Sequence, residues 1–421
     1  MRRIIDYKLR DFAFFCLIVF FIDSVLHFGR HVGGGNLLRS ALMLFLVFSC
    51  MYFFIQNKNI FSSFYTQVLF IFYFLLIIAY VKAAIFNQNM EIANEFVIYY
   101  IYFFFFPCLA YSVNSKRTLY VLFHTVTWIG TVVSICCFLL VVTALISPSI
   151  SKLILGFMEN FDLGFAVGVS NGVMRFISTA VTVQIIAYFF SLLFLFRSKN
   201  LFYIVPIIIN GISIFITFTR GLWLGVFIGT IYFLIEYKFS NFRKNKKLRR
   251  IIRVSILLTI ISIFALYTFN SDIIGFAIER VTGGHGTKGS DDFRKNMAKM
   301  LYDLICKHIF WGNGAGAHID LRDGRVEMTF HDIASKIGTI GLLIFMLPFL
   351  TMFFAKKVNN KYSEFRLVQI CSLSALISIV VATNTNPYFI TSFGLFLYSL
   401  CMRIYSYKRF PLSGFNLGEA R

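Results

Sequence analysis

Long apolar windows separated by short charged breaks dominate the chain. They lie at 12–28, 37–55, 64–84, 96–113, 119–146, 177–196, 201–218, 221–237, 251–269, 337–355, 366–383 and 388–403. Each has the length a helix needs to cross a bilayer, so the pattern predicts about twelve transmembrane helices. Short segments of strict alternation, the mark of an outer-membrane barrel, do not explain such runs. One gap differs in kind: residues 270–336 hold nine basic and nine acidic residues with clustered glycines. Within it Ser290-Asp291-Asp292 reads as a helix start, and Phe293, Met297, Met300, Leu301 and Leu304 then recur at helical spacing. That stretch is expected to lie as an amphipathic helix on the membrane surface or against the bundle. The expected organisation is therefore all-α and polytopic: helices one to nine in 1–269, one large extracytoplasmic loop domain at 270–336, and helices ten to twelve with a cytoplasmic tail in 337–421. No internal repeat is visible in these windows.

Composition agrees, with 58% hydrophobic and only 14% charged residues, against roughly 25% charged in a soluble chain. The net charge of +21 would suggest nucleic acid in a soluble protein, but its distribution gives another reading. With an even number of spans both termini share a side, and that side carries 25 of the 40 Lys and Arg residues. Those termini and loops are expected to be cytoplasmic; no nucleic-acid partner is implied. The densest run, from Lys238 to Arg253, reads as an inner-face anchor on anionic lipid. The basic N-terminus leads into an apolar run without a small-residue cleavage site, so this run is expected to stay as a transmembrane helix. The eight cysteines fall almost entirely in apolar segments and read as small buried hydrophobes.

Basic residues near the outer ends of spans are costly and inner-leaflet charge does not explain them, which makes them functional candidates. Arg220 sits at a one-turn break between two spans in Thr217-Phe218-Thr219-Arg220-Gly221; Arg175 precedes the sixth span; Arg294 lies in the first turns of the amphipathic helix. A guanidinium binds phosphate bidentately and stays charged, so several converging would form a diphosphate site. The alternative for each is snorkelling or pairing with a loop carboxylate. His331, at the end of the outer loop just before the tenth span, has the chemistry to take a proton from a hydroxyl; Asp332 beside it is weaker, because helical neighbours point apart. The remaining histidines have no metal-ligand spacing, so no metal and no cofactor are expected. The run Gly283 to Ser290 lacks phosphate-loop spacing and reads as a flexible connector, and Gly312-Asn313-Gly314-Ala315-Gly316 reads as a tight turn, with backbone approach to a ligand as the alternative.

The order of these features resembles the bacterial O-antigen ligase and polysaccharide polymerase superfamily. The resemblance rests on Thr219-Arg220-Gly221 ending a span; on Arg280 then Arg294 followed by the amphipathic helix; on Phe310-Trp311-Gly312-Asn313-Gly314-Ala315-Gly316; and on His331 followed by Ile337-Gly338-Thr339-Ile340-Gly341. Asp332 stands where that family usually has Asn, and Phe310-Trp311 replaces a Pro-Leu pair. The resemblance implies a GT-C-like, metal-independent glycosyltransferase of the bacterial inner membrane, with its active site on the periplasmic face. Its donor would be an undecaprenyl-diphosphate-linked oligosaccharide and its acceptor a glycan or lipid A core, with membrane lipid and a chain-length regulator as further candidate partners. Arg175, Arg220, Arg280 and Arg294 would hold the diphosphate, and His331 would act on the acceptor hydroxyl. Polymerisation is favoured over ligation, since nothing marks a lipid A acceptor site. A transporter or glycolipid flippase is the rival of another class, but it usually shows repeated halves with polar groups at the midplane.

Overall fold

The computed structural model describes residues 2–26, 44, 45, 48, 63–101, 103, 105–147, 149, 150, 153, 156, 165–168, 174–177, 181–198, 200–217, 219–239, 285–319, 326, 328–355, 364–383, 388–407, 412 and 413. In chain order these form helices α1 (Arg2–Leu26), α2 (Phe64–Ile85), α3 (Met90–Ile101), α4 (Phe105–Ser112) and α5 (Lys116–Ile146), strands β1 (Phe165–Gly168) and β2 (Met174–Ile177), and helices α6 (Val181–Ser198), α7 (Ile204–Ile216), α8 (Arg220–Phe239), α9 (His285–Lys307), α10 (Thr329–Phe354), α11 (Glu364–Ala382) and α12 (Ser392–Tyr405). Of the apolar windows, 251–269 and nearly all of 37–55 lie outside the described residues, as does the basic cluster beyond position 239; every other window coincides with helix. Among the described residues, six helical runs are long and apolar enough to cross a membrane. The protein is thus a multi-pass helical membrane protein.

The surface supports that reading. Phe70, Phe74 and Ile77 on α2, and Leu224, Phe227 and Ile231 on α8, stand exposed at helical spacing. Water would not tolerate such stripes on a monomer; lipid chains cover them at no cost. Helix contacts follow membrane rules as well, because lipid provides no hydrophobic drive for one helix to meet another. Gly225 and Gly229, four residues apart, let α8 approach α11 so closely that a Cβ at either would collide with Ser374 or Ser378. Asn210 of α7 ties its helix to α5, donating to Thr131 Oγ1 and to the Pro206 carbonyl of its own helix (3.1 and 2.6 Å) and accepting from Ser134 Oγ (2.8 Å).

Polar contacts gather at two ends. At one, Glu364 pairs with Lys116 and Arg197, Arg366 meets Glu236 at 3.7 Å, and buried Arg403 donates to the Val113 carbonyl at 3.0 Å. The Lys116 amide donates to the Ser413 carbonyl there. All of these residues belong to segments that the charge pattern assigns to the cytoplasmic side. At the other end, the C-terminus of α2, the residues after α9, the start of α10 and the end of α11 come together.

Helix α10 is interrupted at one point and carries a proline further on. Gly338 has φ 81°, which breaks the helix, and Pro348 sits in its second half. Proline removes a backbone donor from the helix interior. Tyr398 of α12 bridges the gap, its hydroxyl donating to the Phe345 carbonyl (2.6 Å) and accepting from the Phe349 amide (3.1 Å). Phe345 itself packs against Phe72, Tyr100, Phe103 and Phe389, with ring centroids 5.3–5.8 Å apart. Replacing Tyr398 by Phe keeps the ring and orphans two buried backbone groups, which should lower stability by about 1–3 kcal/mol. Thermal unfolding in detergent checks it, and an unchanged midpoint would show that the bridge contributes nothing.

One feature is added and two expectations change. Among the described residues the all-α organisation holds apart from β1 and β2, which pair antiparallel, Val167 opposite Arg175. The helix of the loop domain starts at His285, so the expected flexible connector is helical from there on and Ser290 lies inside the helix. The tenth span also begins earlier, at Thr329, which puts His331 in the first turn of α10 and not in the loop before it.

Candidate active site

The glycine turn after α9 is built against the break in α10. The Asn313 amide donates to the Ser335 carbonyl (2.8 Å), the Gly314 amide to the Lys336 carbonyl (3.1 Å) and the Thr339 amide to the Ile309 carbonyl (2.8 Å). The Asn313 side chain bonds the Ser335 and Leu304 carbonyls at 2.9 and 2.7 Å. Gly312 and Gly338 explain the sequence requirement: both have positive φ, and a Cβ on either would run into the backbone of the other segment. The turn is also fixed from the opposite side, where Lys82 Nζ donates to the Gly312 carbonyl and Gln88 Nε2 to the Asn313 carbonyl, each at 2.6 Å. Two motifs that stand apart in sequence, 310–316 and 331–341, are therefore one structural unit whose backbone approach is to α10.

His331, half-buried, stands in the first turn of α10, anchored where Thr329 Oγ1 meets Thr383 Oγ1 at 3.2 Å beyond the end of α11. Arg220, also half-buried, is the first residue of α8. The break before it is tight: the Leu222 and Trp223 amides reach the Thr219 carbonyl, and Trp223 Nε1 bonds the Phe215 carbonyl at 3.0 Å. Because Gly225 packs on Ser378 and Ala382 near the end of α11, Arg220 belongs to the same end of the bundle as Thr383 and hence as His331.

Arg294 lies on α9 beside Phe293, in the turn before Met297. Met297, Leu301, Ile319 and Val326 form a small apolar core, with Phe293, Met300, Leu304 and Met328 packed on it. The apolar stripe read from the sequence thus docks α9 against the entry to α10, bringing Arg294 towards the His331 end. Arg175 is placed by its backbone in β2, and Arg280 lies outside the described residues. Among the described residues no group of three His, Cys, Asp or Glu side chains comes together as a metal-ligand set.

Sequence reasoning missed Lys336. One helical turn after Asp332, it pairs with that carboxylate at 3.0 Å, both side chains nearly fully buried, and its ammonium stands 4.5 Å from the centre of the Phe96 ring. Asp332 is therefore occupied in holding α10 and its glycine partner in register, while His331 beside it points elsewhere on the helix. The pair also accounts for the carboxylate where the resembling family carries Asn: an interior lysine needs a counterion. The i, i+4 spacing of opposite charges was the available signal. Lys336→Met leaves Asp332 buried without its partner and should cost about 3–5 kcal/mol. Adding Asp332→Asn should restore most of the loss in a thermal-unfolding comparison; a double variant no better than the single one would refute the pairing argument.

Residues 205–346 match the family model described as O-antigen ligase. That segment contains Arg220, Arg280, Arg294, the glycine turn and His331, the features on which the sequence resemblance rests. No curated protein and no solved structure matches the chain.

Proposed function

We propose, from the premise that residues 205–346 are an O-antigen ligase family segment, that this membrane glycosyltransferase moves an undecaprenyl-diphosphate-linked glycan onto a sugar hydroxyl. The reaction is polymerisation of O-antigen or capsular repeat units at the periplasmic face of the bacterial inner membrane. The observation that carries the reading is the direct bonding of the glycine turn to the α10 break, which joins residues 310–316 to the 331–341 stretch.

The chemistry follows from the residue types. Breaking a sugar–phosphate bond sends charge onto the leaving diphosphate, and preorganised cations shielded from water lower that barrier. Arg220 and Arg294, joined by Arg175 and Arg280, fill this role. Arg220 opens α8, so its charge adds to the positive end of the helix dipole; together they favour an anion at that point. His331 takes the proton of the attacking hydroxyl. Holding both glycans at one membrane surface supplies orientation. The chain itself supplies these groups without metal.

The family description, O-antigen ligase, keeps a second reading in view: ligation of a finished chain, with lipid A core as the acceptor we would then propose. A deletion strain separates them. Accumulation of single repeats on the lipid carrier is the expected result for the polymerase; long unligated chains would establish the ligase instead.

A further inference from the structure

A groove of about 470 Å³ opens on the far side of the glycine turn from α10, within the roughly 300–1,000 Å³ typical of small-molecule sites. Its walls come from three segments remote in sequence: the end of α2 with the residues after it, the end of α9, and the turn itself. Lys82, Lys307, His308 and His318 line it, together with the Asn87 amide and the exposed ring of Phe86. No carboxylate lines it among the described residues, although the surrounding loop domain as a whole is balanced in charge. Lys82 already fixes the turn through the Gly312 carbonyl and His318 Nδ1 stands 3.4 Å from the Gly316 carbonyl, so Lys307, His308 and the second ring nitrogen of His318 are the groups the lining offers a guest.

Such a lining has a chemical meaning. Ammonium and imidazole donors suit an anion, an amide suits hydroxyls, and an exposed aromatic ring suits the apolar C–H face of a pyranose. A bare phosphate would use the charges and the amide and leave the ring idle; a neutral sugar would use the amide and the ring and leave the charges idle. A sugar acid uses all of them. We infer that the groove receives an acidic sugar of the acceptor glycan, its carboxylate held by Lys307, His308 and His318 and its ring laid on Phe86.

The inference rests on the glycosyl-transfer reading and deepens it. The turn that lines the groove is the same one that bonds Ser335 and Lys336, so a glycan seated there lies one loop away from the helix turn that carries His331. None of the groove residues is one to which the transfer chemistry has been assigned, which allows binding and transfer to be separated.

The test uses the full chain in lipid nanodiscs, titrated with trigalacturonate, neutral maltotriose and glycerol phosphate. Trigalacturonate should bind about tenfold or more tightly than maltotriose, the lower end for hydrogen bonds to charged groups, and the preference should shrink as salt rises. Lys307→Gln with His318→Gln should abolish the preference while the thermal midpoint is kept; in transfer assays it should raise KM for an acidic acceptor with kcat nearly unchanged. Equal binding of the two saccharides, a preference that survives the double variant, or glycerol phosphate binding tighter than trigalacturonate would each overturn the inference. Uronate preference with no transfer from any lipid-linked donor would overturn the transfer reading alone, and transfer without uronate preference would overturn the groove alone.

Discussion

His331→Ala should reduce glycan transfer by about a hundred- to ten-thousandfold, the usual worth of a positioned general base, while donor binding stays nearly unchanged. The separation follows from where the group acts. An imidazole that accepts the acceptor's proton stabilises only the transition state, so its loss falls on kcat. Position 331 also makes a clean test, because the packing of this turn rests on its neighbours: Thr329 meets Thr383 and Asp332 pairs with Lys336. Loss of transfer in a variant that keeps the wild-type thermal midpoint and donor affinity is the expected pattern. Loss of donor binding alongside would move His331 from proton acceptor to donor site.

Arg220→Lys and Arg294→Lys should each slow transfer about a hundred- to a thousandfold, or about 2.7–4 kcal/mol of barrier, by analogy with removing one oxyanion donor. Lysine keeps the charge and loses the planar fork, so a bidentate diphosphate contact suffers where a snorkelling residue would not. The comparison is of kcat/KM at matched protein in the membrane. Wild-type rates in both variants would assign these arginines to anchoring. The two need not be additive, since groups that act on one leaving group share a single transition state.

Much of this arrangement was legible because membrane physics writes itself into sequence. Hydropathy windows located the helices, and the stripe Phe293, Met297, Met300, Leu301, Leu304 gave α9 its buried face, since a 3.6-residue period stands out in a segment of mixed polarity. Gly312 was visible as a turn-former, whereas Gly338 lay inside the tenth apolar window, and their mutual approach was not legible because a Cβ on each would clash with backbone distant in sequence. The start of α10 was misplaced for a definite reason: Asp332 and Lys336 depress hydropathy separately, although as a pair they neutralise each other inside the helix. The β1–β2 hairpin escaped notice because four-residue strands beside long apolar windows carry almost no alternation of their own. The Tyr398 bridge over Pro348 depends on a contact between two helices that no local pattern encodes.

The central claim is that this chain by itself transfers a lipid-linked glycan to a sugar hydroxyl at the His331 end of its bundle. Purified protein in liposomes, given undecaprenyl-diphosphate-linked repeat units with no added metal or nucleotide, tests it by the appearance of longer lipid-linked chains. The account predicts dimers and higher oligomers of the repeat with wild-type protein, no such products with His331→Ala, and sharply reduced amounts with Arg220→Lys. Full chain growth by His331→Ala, or a strict requirement for a divalent metal, would contradict it.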